Sequence, residues 1–337
     1  PDNDQVLMNG FKNVKEVNKE QAIKIAQLMW FLRDGDMNNI HYDILTRDPE
    51  SIQTEIKETI DIYGEYDFDK SSMLTGHGFG VLRAGTLHGS EVKNGLVDTQ
   101  RDFWMYFGGG VSHKHSDALN LGIEAYGIDL SGDIGYPEAT GSDANRSQWV
   151  NKTISHNCVV VNESSIRSGN EALKPLHFDA KDTRVKIMDV DGGNTAYADT
   201  DEYRRTVVMV DYDSEISYGI DFFKVLGGND HLYSFHANSI EDPEFSDNLK
   251  FIAQNGGTYA GADIPFGNDP WTNTSNAHST LQFPDGYTWL DDIKRADNPG
   301  VNEFWLDYKI KDYRKLSRNS NMDIHMRFTA VNDWTPE

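Results

Sequence analysis

Apolar positions recur at helical intervals over about the first 65 residues and then, from about residue 76, alternate one by one, so a short helical stretch precedes a long β region. In "NKEQAIKIAQLMWFLRDG" Asn18 is placed to cap a helix, Gln21 holds the reciprocal capping-box position, and Gly35 follows the last apolar turn. Ala22, Ile25, Met29 and Leu32 form one stripe, and Ile23, Leu28, Trp30 and Phe31 widen it nearly all round, which predicts a helix buried on most of its surface. "DPESIQTEIKETIDIYG" predicts a second helix, with Asp48 as cap, Pro49 in the first turn, Ile52, Ile56 and Ile60 on one face and Gly64 at the end. Two such helices cannot cover each other, so the pattern points to a larger helical domain upstream.

The later segments "GFGVLRAG", "FWMYFG", "CVVVN", "RTVVMVDYD", "EISYGIDFFKV" and "HLYSFHA" read as short strands between Gly, Asp and Asn turns. In the fifth, Ile216, Tyr218, Ile220 and Phe222 share one face, the signature of a half-buried antiparallel strand. Strands without intervening helices over most of the chain predict a mainly β fold, a large antiparallel sandwich. Residues 237–300, rich in Asp, Asn, Gly and Pro, predict long surface loops.

Composition narrows the partners. A formal charge of -23 excludes bulk binding to nucleic acid or to an anionic membrane. No apolar run reaches the length of a transmembrane helix. The single cysteine, Cys158, lies in an apolar strand and reads as a buried thiol rather than a nucleophile. The chain starts at Pro1 without a methionine, and the expectation is a piece of something longer.

Candidate chemistry gathers in "GGGVSHKHSDALNLGIEAYGIDLSGDIGYP". His113 and His115 are two apart, which in a strand puts both imidazoles on one face. Asp133 and His156 follow, each at the edge of an apolar run, and two nitrogens with one carboxylate suit zinc. The spacing leaves open both a metal site and ordinary hydrogen-bonded sheet histidines. Asp117 or Asn157 is placed to accept the second ring proton of a ligating imidazole. Asp129 and Asp143 compete with Asp133, which is favoured because Gly132 and Gly135 suit a chain pressed closely around a site.

That run, with "NKTISHNCVVVNESSI" and "YRRTVVMVDYDSEISYGIDFFKVLGGNDHLYSFHA", resembles the C-terminal β-sandwich of heparinase II/III-type polysaccharide lyases, from about residue 75 to residue 237. The resemblance implies an antiparallel super-sandwich over residues 71–337, preceded in 1–70 by the remnant of an incomplete α/α toroid whose remainder is a missing N-terminal partner domain. It implies zinc held by His115, Asp133 and His156, with His113 taking part in catalysis. It also implies β-elimination on an acidic, uronic-acid-containing polysaccharide such as a glycosaminoglycan or alginate, by a secreted or periplasmic enzyme. Tyr136, Arg146 and Trp149 are candidates for contacting the anionic sugar, and Tyr42 is the only candidate here for the toroid's Tyr. Arg204 and Arg205 are expected to brace their strand, and His231 and His236 to be buried sheet histidines. The competing reading is a non-catalytic carbohydrate-binding or structural sandwich whose histidines bind a structural metal. A zinc hydrolase is a third.

Overall fold

The computed structural model describes residues 2–33, 35–38, 49–66, 69–86, 99–109, 114–135, 144–167, 172–267, 285–296, 302–312 and 323–331. These divide into two compact units, one within Pro1–Lys70 and one comprising Ser71–Thr86 and Thr99–Glu337.

The first unit holds α1 (Asp2–Val14), α2 (Lys19–Leu32) and α3 (Pro49–Tyr63). Met8 and Phe11 of α1, Ala22, Ala26 and Met29 of α2, and Ile52 and Ile56 of α3 bury one another around Met37. Asn18 caps α2 as the sequence predicts, its Oδ1 accepting from the Gln21 amide at 3.1 Å. The reciprocal half of the capping box is absent, because α1 runs up to the cap and the Asn18 amide donates to Val14 O at 2.7 Å. Gly64 closes α3 at φ 74°, its amide reaching Ile60 O at 2.8 Å. The expectation that α2 is buried nearly all round fails among the described residues: Leu28, Phe31 and Leu32 lie on its exposed side.

The second unit opens with a five-stranded antiparallel meander, β1 (Ser72–Leu74), β2 (Phe79–Ala84), β3 (Arg101–Tyr106), β4 (Asn120–Ala125) and β5 (Ile128–Ser131). Trp104 pairs with Gly122 across β3 and β4, and a Cβ on Gly122 would lie 1.9 Å from the indole, so only glycine fits there. β6 (Val159–Val161) pairs later with β11 (His231–Tyr233). β7 (Lys174–Asp179), β8 (Val185–Asp191), β9 (Thr200–Asp211) and β10 (Ser217–Gly227) form a second sheet in the order β10-β9-β8-β7. Beyond β11, the loop-rich stretch carries the short β12 (Glu244–Phe245), β13 (Phe251–Ala253) and β14 (Lys294–Ala296), then β15 (Glu303–Lys309) and β16 (His325–Val331). β12, β15 and β16 form one small sheet, β13 and β14 another.

One core joins the two larger sheets. Leu82, Met105 and Leu121 of the first meet Met188, Val190, Tyr203, Val207 and Met209 of the second, with Val159 and Val161 of β6. The fold is mainly β, antiparallel and sheet against sheet, as predicted.

The strand β10 departs from its pattern. Tyr218, Ile220 and Phe222, with Ile216 just before the strand, share a face as predicted, but that face is exposed among the described residues, and Asp221, Phe223 and Val225 point the other way. The cause lies on β9, where Arg205 is wholly buried and demands a carboxylate: Asp221 turns inward to meet it at 2.9 and 2.7 Å. Because side chains alternate strictly, turning Asp221 in turns Ile220 and Phe222 out. His231 is a second departure, for it is exposed on β11, its ring donating to Gly227 O at 2.7 Å.

Candidate metal centre

Three ends of chain converge at one edge of the first sheet. His115 lies not in a strand, as its spacing with His113 suggested, but in the loop that joins β3 to β4. The loop is fixed at several points: Leu119 donates to Tyr106 O at 2.7 Å, Ser116 to Asn151 O at 3.1 Å, and Thr153 Oγ1 to Ser116 O at 2.6 Å. Asp133 follows β5, and its Oδ1 accepts from the Gly135 amide at 2.7 Å, which leaves Oδ2 to face the imidazoles. His156 ends a tight turn, Thr153–Ser155, just before β6.

The facing atoms form a nearly equilateral triangle. His115 Nδ1 is 3.0 Å from His156 Nε2 and 3.2 Å from Asp133 Oδ2, and His156 Nε2 is 3.2 Å from the same oxygen. The other nitrogen of His156 donates to Lys152 O at 2.8 Å, which in the neutral ring leaves Nε2 as a lone pair directed at the triangle. Donors about 2.0–2.2 Å from a tetrahedral zinc stand roughly 3.3 Å apart. The spacing and the donor set, two imidazoles and a carboxylate, therefore fit a divalent cation of the zinc type. The His156 side chain is fully buried and that of His115 nearly so, while Asp133 is partly open.

The electrostatics belong to one cluster. Burial raises the Asp133 carboxyl, but hydrogen bonds from His115 and His156 and their charge outweigh it and hold the group well below the usual carboxylate range. For His156 burial acts downward and is overcome by the Asp133 hydrogen bond and the charges of Asp117 and Asp133, so the imidazole is raised. Burial pushes Asp117 up, the Asp133 charge adding and the two imidazoles opposing.

The supports differ from those the sequence suggested. Asn157 gives nothing to His156: its Nδ2 donates to Leu121 O and Ser131 Oγ, both at 2.7 Å, and its Oδ1 accepts from the His236 amide at 2.6 Å. It stitches β4 and the end of β5 to the segment after β11. Among the described residues Asp117 accepts no ring proton either, and instead brings a carboxylate oxygen within 4.8 Å of the donor atoms of His115, Asp133 and His156. Gly132 makes room for the Asp129 carboxylate, 2.4 Å from where its Cβ would be, and Gly135 is needed for its φ of 67° rather than for space. Asp129 lies outside the cluster.

Sequence reasoning missed the extent of Arg205. Arg204 braces β9 against β8 through Asp189, as expected. Arg205 reaches further: beyond Asp221 it donates to Tyr233 Oη at 3.0 Å, to Leu119 O at 2.6 Å and to Asn157 O. Leu119 ends the loop of His115, and Asn157 follows His156, so one buried cation holds two of the three segments that form the triangle. The available signal was the inward alternation Tyr203, Arg205, Val207, Met209, which places an arginine in a core stripe. Cys158 is a fully buried thiol pushed far up by desolvation, as expected of an inert residue.

Of the remaining candidates, His113, Tyr136, Tyr42 and Asp143 lie outside the described residues. Arg146 and Trp149 share the helical turn Arg146–Val150, Arg146 partly buried and Trp149 edge-on to His236 at 5.8 Å, beside Ile154, Val160 and Tyr287.

Residues 106–245, which contain the whole triangle and Arg205, match the family model described as Heparinase II/III-like, C-terminal. This segment is similar to the C-terminal region of heparinase II/III-like proteins. No curated protein matches the chain. Among solved structures it is similar to a heparinase III gene product, at 16% identity over 71% of this chain and 33% of that one, with a TM-score of 0.45. It is also similar to the heparan sulfate lyase HepC from Pedobacter heparinus, at 10% identity over 86% of this chain and 38% of that one, TM-score 0.43. A structure titled heparinase III aligns at 11% identity over 96% of this chain and 49% of that one, TM-score 0.44. The chain thus spans between a third and a half of the length of these structures, and likenesses this distant add nothing to the family match. No helix among the described residues is long and apolar enough to cross a membrane.

Proposed function

We propose that this chain is the zinc-holding sandwich part of a polysaccharide lyase that acts by β-elimination on uronic-acid-containing polysaccharide outside the cytoplasm. The observation that carries the reading is the convergence of His115 Nδ1, Asp133 Oδ2 and His156 Nε2 at 3.0–3.2 Å inside the heparinase II/III-like region. His115, Asp133 and His156 would hold the zinc, which would supply a cationic tie between the β3–β4 loop, the end of β5 and the start of β6.

The reaction removes the C5 proton beside the uronate carboxylate, breaks the C4–O bond, forms a C4=C5 double bond and returns a proton to the departing glycosidic oxygen. The C5 proton is barely acidic, so the carboxylate must be neutralised first. His113, two residues before the ligand His115, is the group of this chain assigned to the reacting sugar. It binds the carboxylate as a cation or takes the proton when neutral, according to the epimer. Tyr136, Arg146 and Trp149 contact the anionic sugar, Arg146 by pairing with a carboxylate or sulfate and the aromatic rings by stacking. The remaining acid–base group and carboxylate ligand come from the helical toroid that residues 1–70 begin to describe.

The test incubates the natural protein that carries this chain with uronate polymers and follows the ultraviolet absorbance of the new double bond. Absorbance that appears with the wild type and is lost in His113→Ala supports the proposal. No unsaturated product from any uronate polymer leaves a binding or structural sandwich. Saturated products indicate hydrolysis instead.

A further inference from the structure

Asp117 is the one member of the cluster that the triangle does not use. It is 7% exposed, and its Oδ1 is buried without a hydrogen-bond partner among the described residues. Its backbone carbonyl accepts from the Asn120 amide at 2.7 Å, a turn that fixes the residue at the mouth of β4. From there a carboxylate oxygen lies within 4.8 Å of the donor atoms of His115, Asp133 and His156. A carboxylate this far removed from water, with one oxygen given no donor among the described residues, is stabilised by a cation beside it. Two neutral imidazoles leave the charges of Asp133 and Asp117 to be balanced, and one dication balances both. A metal held by the triangle alone would keep a net positive charge, with the Asp117 carboxylate beside it.

We infer that Asp117 is the fourth donor to the metal, completing a closed site of two imidazoles and two carboxylates. The inference rests on the proposed metal site and goes beyond it. A closed, four-protein-ligand site is the arrangement of a structural ion rather than a catalytic one with an open position. The metal then locks the loop that carries His115 and Asp117 to β5 and β6.

The experiment loads the purified natural protein with zinc or cobalt(II) and compares wild type, Asp117→Asn and Asp117→Ala. Zinc affinity, read by competition with a chromogenic chelator, is expected to fall by about tenfold or more in both variants. The wild-type cobalt(II) absorption bands should not move when azide is added, because no position is open, whereas those of Asp117→Ala should shift. Affinity within about threefold of wild type in the isosteric Asp117→Asn, or azide-sensitive bands in the wild type, would overturn the assignment while leaving the three-residue site intact. A wild type that binds neither metal overturns both.

Discussion

Truncating Arg205 to alanine withdraws one guanidinium from both Asp221 oxygens, the Tyr233 hydroxyl and the carbonyls of Leu119 and Asn157. The part-buried Asp221 carboxylate would then keep only the Tyr233 hydroxyl at 2.9 Å, and two backbone carbonyls would lose their donor, a loss of about 3 kcal/mol. Denaturant unfolding of Arg205→Ala should show that loss, and metal affinity should fall with it, because the segments of His115 and His156 are no longer held to a common point. Arg205→Lys keeps the charge but offers a single ammonium to planar, divergent partners, so it should recover only a minor part. The proposed metal ligands make a second test at this scale. In the metal-free protein His156 is raised, so its contribution is complete below an unfolded value of about 6.5 and is lost as pH rises through the folded value. Asp117, also raised, acts in the same direction, while Asp133, held low, contributes above about 3.9 and loses only in strong acid. With chelator present, the melting temperature should therefore decline as pH rises past neutrality. With zinc the trend should reverse, since metal displaces protons from its ligands and binds better as they leave. Identical pH profiles with and without zinc would count against the site.

Among the elements, β10 shows where pattern and structure part. Alternation identified the strand and grouped its side chains correctly, but hydrophobicity chose the wrong face to bury, because the deciding residue was a charge on the neighbouring strand. Nothing within "EISYGIDFFKV" says that Asp221 must turn inward; that follows only once Arg205 of β9 is known to be buried beside it. The same limit explains the site. His115, Asp133 and His156 were legible by residue type and by the family resemblance. The roles of Asn157 and Asp117 were not, because each depends on which atoms of three separate segments meet. Local rules worked where their causes are local, as in the Asn18 cap and the Gly64 stop. The face assignment on β10 has its own measurement: Phe223→Ala, which loses packing against Tyr203 and the Arg205 guanidinium, should cost at least about 2 kcal/mol. Phe222→Ala, on the exposed side, should cost under about 1 kcal/mol. Equal costs would mean that the outer face is covered.

At the scale of the whole molecule, a chain of charge -23 is proposed to act on a polyanion, and the two repel at long range. Close to the site the proposal sets a different balance, since the short-range pairing it assigns to groups such as Arg146 and His113 acts over a few ångströms. Salt separates the two ranges. The Debye length shrinks from about 30 Å at 0.01 M to about 10 Å at 0.1 M, which removes most of the distant repulsion and leaves the proposed direct sugar contacts largely in place. The proposal therefore predicts that KM for a uronate polymer falls as salt rises through this range, while kcat, set by groups already in contact with the sugar, changes little. Beyond roughly 0.3 M the pairing contacts are themselves weakened and KM should climb again. Steady-state kinetics at fixed pH over that span reads the curve directly. A KM that only rises with salt would mean that a basic surface governs encounter, and that the net charge of this chain is not what the substrate meets first.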